Sequence, residues 1–244
     1  MKHYRYSTLG DYNKCPKYYE LKHLLKLDDG SDKSGDMAFG TALHLAIQDL
    51  FEGGNGHDVF NVFWEAATNK ELEYTRYKHD ELAEFGKEFI DLFVPKMSMF
   101  KPLHLEQKLM MPVTAEYGFS GTADFLGEFK GVKSVVDWKT SALPYTGYKI
   151  RCNEQMYGYA ELAYNQLQFE AEQAVYVVFI KDHKNPRIQV KVTPLTREKV
   201  TKKLDNIKAI CHDIHNRTTY HKNSSQCVIG SRVCRFFNTC HGDE

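Results

Sequence analysis

Residues 135–141, VVDWKTS, place two valines directly before an acid, a tryptophan and a lysine. Consecutive apolar residues such as these valines are typical of a strand that is buried on both faces. Side chains alternate between the two faces of a strand, so Asp137 and Lys139 project from one face and Trp138 from the other. An acid on a buried strand costs free energy unless it has a partner. The stretch therefore predicts a functional cluster on a core strand.

The segment GEFKGVK, residues 127–133, predicts a hairpin turn that brings a second acid to this cluster. With the turn centred on Lys130 and Gly131, Asp124 lies across from Asp137, with about 5 Å between their Cβ atoms. Like charges at that distance destabilise a sheet unless a cation or a raised pKa compensates. A divalent metal such as Mg²⁺ is the natural compensating cation. The alternative is that Asp124 caps a turn and that Asp137 and Lys139 form an exposed ion pair.

The composition indicates a globular chain without a membrane segment. Of the 244 residues 42% are hydrophobic, and no apolar run approaches the roughly 18 residues of a spanning helix. The N-terminus lacks the apolar centre of a signal peptide, so we expect a soluble, cytoplasmic protein with no membrane partner. Residues 2–26 and 181–208 are rich in lysine and arginine. Such segments suit a nucleic-acid backbone, although they are more often the solvated face of a helix.

Hydrophobic periodicity predicts an α/β fold with a central mixed sheet flanked by helices. The predicted strands lie at about residues 103–113, 118–127, 133–141, 174–180 and 188–193. The predicted helices lie at about residues 37–51, 58–99, 150–166 and 200–214. We expect a single domain over residues 1–244, with a helical part at about 37–100, the catalytic sheet and its helices at about 101–220, and a cysteine-containing segment at 221–244.

The motifs GTADFLG and VVDWKTS resemble the second and third motifs of the PD-(D/E)XK nuclease superfamily. The resemblance is to its RecB-like exonuclease domains, of the CRISPR-associated and phage recombination types, and implies a restriction-endonuclease-like core. It implies that Asp124, Asp137 and the main-chain carbonyl of Trp138 bind Mg²⁺ or Mn²⁺ and that Lys139 is the catalytic lysine. Many members have glutamate where this chain has Asp137, but aspartate is a common variant.

Further motifs extend the resemblance along the chain. GTALH matches a GxxxH helix and implies that His44 is a metal ligand, although His44 alone would be interpreted as a core histidine. EQMYGY supplies a QxxxY pattern, and the resemblance implies that Gln155 and Tyr159 contact DNA. The opening YSTLGDYNKCPKYYE resembles the N-terminal signature of the family. Glu106, on the solvent-facing side of its strand, could help to hold a second metal.

Six cysteines in a chain without an export signal indicate free thiols, a metal site or a cluster rather than disulfides. Some RecB-like nucleases bind a [4Fe-4S] cluster through four cysteines, and the resemblance implies Cys15, Cys227, Cys234 and Cys240 here. The chain departs from that pattern at Ser231, where the pattern has a cysteine, and Cys227 lies four residues earlier. Zinc binding and a simple packing role remain alternatives.

The sequence as a whole predicts a metal-dependent DNA exonuclease that acts in recombination, repair or phage DNA processing. A helicase or a single-strand annealing protein is the expected partner besides DNA. One alternative is a structure- or site-specific endonuclease of the same fold. The other is a non-catalytic DNA-binding subunit of a helicase-nuclease assembly.

Overall fold

The VVDWKTS strand lies inside a six-stranded sheet in the computed structural model, which describes residues 1–30, 33–68, 71–230 and 232–242. The strands are β1 (Lys2–Arg5), β2 (Phe100–Pro112), β3 (Tyr117–Phe129), β4 (Val132–Ser141), β5 (Gln173–Ile180) and β6 (Arg187–Pro194), with a separate pair β7 (Val228–Ile229) and β8 (Arg232–Val233). The α-helices are α1 (Tyr6–Lys14), α2 (Pro16–Tyr19), α3 (Gly35–Phe51), α4 (Gly56–Thr68), α5 (His79–Phe93), α6 (Gly147–Cys152), α7 (Gln155–Leu167), α8 (Arg197–Asn216) and α9 (Phe237–His241). A π-helical turn spans Glu20–Leu24, and 3-10 turns span Val94–Met99 and Ser224–Gln226.

The sheet is mixed, as predicted, and its order is β1-β3-β4-β5-β6. Strand β2 pairs antiparallel with the other edge of β3 along most of its length. Strand β4 runs antiparallel to β3 and parallel to β5. Strands β1 and β4 both pair with the same edge of β3. Strand β1 pairs with residues 117–120 of β3, and β4 pairs with residues 125–129.

The predicted hairpin register is confirmed. Phe129 pairs with Val132 and Phe125 with Val136. Lys130 and Gly131 form the turn with φ values of 52° and 80°, the left-handed pair that suits the twist of a two-residue hairpin. The Lys130 N–H donates to the main-chain carbonyl of Met99, at the end of the 3-10 turn before β2. This bond fixes the hairpin turn from outside the hairpin.

The two faces of β4 belong to two different hydrophobic clusters. Val135 packs with residues of α7 and α8 on one face, and Val136 and Trp138 pack with residues of α3, α4 and α5 on the other. Both valines and the tryptophan are buried. The prediction of a strand buried on both faces is therefore confirmed, and Trp138 lies on the face opposite to Asp137.

Two sequence-based assignments were wrong in detail. The single helix predicted from Ile150 to Gln166 is two helices, α6 and α7, because Asn153 adopts extended backbone and its side chain accepts the N–H of Gln155. Strand β1 was not predicted at all. Only Tyr4 of its four residues is buried, so it has little hydrophobic pattern to recognise.

Helix α8 is amphipathic, as predicted, with Val200, Leu204, Ile207, Cys211 and Ile214 buried along one face. Its lysines lie away from this core face. Across the ranges that the structure describes, no helix has both the length and the apolar content needed to cross a membrane.

Gly86 on α5 provides a test of the helical packing. A Cβ atom built at Gly86 would lie 2.0 Å from the ring of Phe60 on α4, whereas one built at Gly10 on α1 would meet no atom within 4 Å. Overpacking should make Gly86→Ala destabilising by about 1–3 kcal/mol. Gly10→Ala should instead stabilise by about 0.5–1 kcal/mol because alanine favours a helix. Denaturant unfolding of both variants checks this, and equal effects would contradict the α4–α5 packing.

Candidate active site

The candidate site lies along β3, between the part of β3 that pairs with β1 and the part that pairs with β4. Arg5 of β1 pairs with Ser120, and Val136 of β4 pairs with Phe125, which leaves residues 121–124 between the two partners. Asp124 is in this interval. Its Oδ2 atom accepts the main-chain N–H of Trp138 at 2.8 Å, so the end of the β3–β4 ladder is held by a buried carboxylate.

His44 reaches the same place from α3. Its Nε2 atom lies 2.9 Å from the main-chain oxygen of Trp138, which accepts the hydrogen bond, and its Nδ1 atom lies 3.7 Å from Asp124 Oδ2. Buried apolar residues of α3, such as Leu43 and Ile47, belong to the same hydrophobic cluster as Trp138 of β4, which holds the helix against the sheet. The structure thus brings together three of the predicted metal ligands: the His44 ring, the Asp124 carboxylate and the Trp138 carbonyl.

Glu106 on β2 joins this group. The pairs on either side of it, Leu105 with Phe125 and Gln107 with Ala123, set Glu106 opposite Asp124. Its φ of 47° is left-handed, which strand residues with a side chain rarely adopt. Ligand atoms of His44, Glu106 and Asp124 all lie within 4.8 Å of one another. Burial, with the nearby Asp124 charge, raises the pKa of Glu106.

The sequence suggested a second metal for Glu106, and the structure places the Glu106 carboxylate beside His44 and Asp124. Alternation along β2 indicated that Glu106 lies on a solvent-facing side. It could not reveal the left-handed backbone at this residue. No residue pattern in the sequence predicted the left-handed backbone of Glu106, and only the presence of an acid at this position marked it.

Asp137 and Lys139 contact each other on one face of β4. Lys139 Nζ lies 2.8 Å from Asp137 Oδ1, while the buried Asp137 Oδ2 has no hydrogen-bond partner among the described residues. Burial raises the pKa of Asp137 to about 6 despite the lysine. Burial alone would lower the pKa of Lys139, but the carboxylates of Asp137 and Asp124 raise it. The exposed-pair alternative is wrong for Asp137, whose side chain is only 1% exposed.

These residues fit a divalent cation. Three carboxylates, those of Glu106, Asp124 and Asp137, face one ammonium group, that of Lys139, so the cluster carries uncompensated negative charge. The Asp137 Oδ2 atom is a buried acceptor that finds no donor within the described part of the chain, which is costly unless a ligand or water satisfies it. Carboxylate and carbonyl oxygens with one imidazole suit Mg²⁺ or Mn²⁺.

A cleft of about 360 Å³ opens beside Lys139. Gln155 and Tyr159 line it from the first turns of α7, and Gln155 Nε2 donates to Tyr159 Oη at 3.0 Å. Gly121 lets this tyrosine approach, since a Cβ there would lie 2.3 Å from the Tyr159 ring. The cleft is also lined by residues that the sequence did not single out: Arg5, Tyr6, Ser7 and Thr122.

The four cysteines named in the sequence lie around one pocket that joins the two ends of the chain. Cys15, Cys227, Cys234 and Cys240 all line it. The main chain of Lys17 donates to His221 at 3.1 Å, and Asn223 donates to the Lys14 carbonyl at 3.0 Å. The remaining two cysteines lie elsewhere, one on α8 and one at the end of α6. Ser231, the departure from the family pattern, is outside the described residues.

Three solved structures align with this chain, and the first of them supports the fold. A protein from Eubacterium rectale, named as a candidate exonuclease, aligns over 98% of this chain and 94% of its own with a TM-score of 0.59 and 12% identity. The protein SSO0001 aligns over 98% and 86% with a TM-score of 0.47 and 14% identity. LHK-Exo, solved in complex with dAMP, aligns over 73% and 92% with a TM-score of 0.31 and 10% identity. No curated protein matches the sequence.

The sequence model of one family matches nearly the whole chain, from residue 5 to residue 241. That range includes the helix that carries His44, the hairpin that carries Asp124 and Asp137, and the cysteine segment. The match and the fold agree. The chain belongs to the PD-(D/E)XK nuclease superfamily.

Proposed function

We propose that this protein is a metal-dependent DNA exonuclease. Membership of the superfamily implies a nuclease and a DNA substrate. The observation that carries the proposal is the buried Asp137–Lys139 pair beside the His44, Glu106 and Asp124 group. The similarity over 98% of the chain to a protein named as a candidate exonuclease favours attack at DNA ends.

The proposed reaction is hydrolysis of a phosphodiester, in which water adds across one P–O bond and leaves a phosphate monoester and a hydroxyl. His44, Glu106, Asp124, Asp137 and the Trp138 carbonyl would hold Mg²⁺ or Mn²⁺, which when bound would supply Lewis-acid activation of the phosphate and of the attacking water.

Lys139 has the clearest role among the side chains of the cleft. Its ammonium would donate a hydrogen bond to a phosphate oxygen and stabilise the negative charge that develops there. The 2.8 Å contact with Asp137 holds the ammonium at the floor of the cleft. Gln155 and Tyr159 would contact the DNA strand along the wall formed by α7.

The biological role that we propose follows from the proposed exonuclease activity. A single catalytic domain in the cytoplasm would process DNA ends during recombination, repair or phage DNA processing, alone or with a helicase or a single-strand annealing protein. The basic helix α8 would add sequence-independent affinity for the DNA backbone.

Cleavage assays with linear and circular DNA test the proposed activity. With Mg²⁺ or Mn²⁺, the protein should shorten end-labelled linear DNA and leave closed circles intact. Lys139→Ala should lose on the order of 100-fold or more in rate because a charge-stabilising donor is removed. Lys101→Ala, which breaks an exposed lysine–glutamate pair on the same sheet, is the matched control and should retain full activity. Cutting of circles would establish an endonuclease instead, and full activity in Lys139→Ala would refute the site.

Metal binding can be tested without any nuclease assay. Mn²⁺ should raise the melting temperature of the wild type because an ion that binds only the folded state stabilises it. His44→Ala and Asp124→Asn should lose most of that increase. His57→Ala, which removes an exposed histidine 2.8 Å from Asp91, should keep it. An undiminished increase in the two site variants would place the ligands elsewhere.

We further infer that Cys15, Cys227, Cys234 and Cys240 hold a [4Fe-4S] cluster. All four line one pocket, and Cys15, Cys234 and Cys240 pack against an apolar group that includes Phe236. Within the described residues, no three of these sulfur atoms lie within 4.8 Å of one another. Four thiolates around one pocket suit a [4Fe-4S] cluster, in which each thiolate binds a different iron, and a single zinc ion is the alternative.

Iron analysis of anaerobically purified protein tests this inference. The wild type should contain close to four iron atoms per chain and absorb visible light, and Cys15→Ser and Cys240→Ser should lose both properties. Cys152→Ser is the matched control, since Cys152 is exposed and lies outside the pocket. A colourless wild type without iron, or iron retained in both pocket variants, would contradict the cluster.

A further inference from the structure

The segment that joins β4 to α7, residues 142–152, lies in the chain between two residues of the cleft. Lys139 lies just before it and Gln155 just after it, and both line the cleft. Tyr145 anchors the segment: it is buried, and its main-chain N–H donates to the Gln189 side chain at 2.8 Å. Burial and the nearby Lys139 charge lower the pKa of Lys149.

This anchored segment exposes apolar surface. Tyr148 is 76% exposed and Leu143 is 66% exposed, the two highest values among large hydrophobic side chains in the described part of the chain. Single exposed apolar residues need no explanation. Two such residues on one eleven-residue segment beside a catalytic lysine do suggest a ligand, because stacking surfaces for nucleobases have this composition.

The charges of the segment match a nucleic acid. Residues 142–152, ALPYTGYKIRC, include one lysine and one arginine and no acid. The Arg151 guanidinium lies 4.6 Å from the centroid of the Tyr148 ring, and Lys149 Nζ lies 3.6 Å from that of Tyr145. Among the described residues, neither cation forms an ion pair with a carboxylate. Both therefore remain available to phosphate groups.

We propose that residues 142–152 form a nucleobase platform, on which Tyr148 stacks against an unpaired base next to the scissile phosphate. Leu143 would contact the same or the next base, and Lys149 and Arg151 would contact the flanking phosphates. A base inside a duplex has both faces covered by its neighbours, and a blunt end leaves open only one face of its last pair. A single-stranded end therefore offers the platform more stacking surface, and the platform favours it over a blunt duplex. The proposal rests on the proposed nuclease function and specifies its substrate class.

The chain offers a matched control for Tyr148. Tyr164 on α7 also has an arginine over its ring, with the Arg197 guanidinium 4.7 Å from the centroid. It lies nine residues beyond Gln155, about 13 Å along the helix, on a different surface depression. Tyr148→Ala and Tyr164→Ala therefore remove the same kind of contact at and away from the cleft.

Binding in EDTA tests the platform independently of cleavage. The probes are a single-stranded oligonucleotide with 2-aminopurine near one end and a blunt duplex of the same sequence. Tyr148→Ala should weaken binding of the single strand roughly tenfold and abolish the quenching of 2-aminopurine, because base–aromatic stacking is lost. Tyr148→Trp should retain both, and Tyr164→Ala should behave as wild type. Binding of the blunt duplex should change less than about twofold in every variant.

The outcomes separate this proposal from the proposed function. Equal behaviour of Tyr148→Ala and Tyr164→Ala would overturn the platform, and so would an equal loss of single-strand and duplex binding. If the wild type binds and quenches the single strand but cleaves no DNA with Mg²⁺ or Mn²⁺, the platform stands and the nuclease proposal falls. With active protein, Tyr148→Ala should lower kcat/KM on single-stranded ends and leave that on duplex ends unchanged.

Discussion

The burial of Asp137 within the central strand is the constraint on which the rest of the site depends. A carboxylate that is 1% exposed can remain in the core only with partners, and Lys139 supplies one at 2.8 Å. One lysine does not balance the neighbouring carboxylates of Asp124 and Glu106. The excess negative charge is tolerable where a cation can enter, as we propose for this cluster.

The hairpin turn converts this local constraint into a precise geometry. Lys130 and Gly131 set the register, and the register places Asp124 next to Trp138 at the end of the β3–β4 ladder. A shift of one residue would turn every side chain of β4 to the opposite face, moving Trp138 out of its aromatic cluster. The packing of that tryptophan against Phe93 and Phe100 therefore stabilises the register of the catalytic strand as well as the core.

The sequence predicts those parts of the site that depend on local periodicity. The positions of Asp137, Lys139 and Trp138 follow from alternation along one strand, and that of Asp124 follows from a two-residue turn. His44 was found only through the family resemblance, because a histidine on an apolar helix has no distinctive pattern. The sequence did not predict that Glu106 lies beside His44 and Asp124, because this depends on a left-handed strand residue. It did not predict Arg5 in the cleft, because Arg5 lies on a short parallel edge strand.

Helix α1 connects the wall of the cleft to the cysteine pocket. Its first turn follows Arg5 at the wall of the cleft, and its last residue, Lys14, precedes Cys15 in the cysteine pocket. In its last turn, Tyr12 donates a hydrogen bond to Asp213 of α8, so the helix is also tied to the core layer. A nine-residue helix spans about 13 Å. One short helix, held to α8 by Tyr12, therefore separates the wall of the cleft from the cysteine pocket.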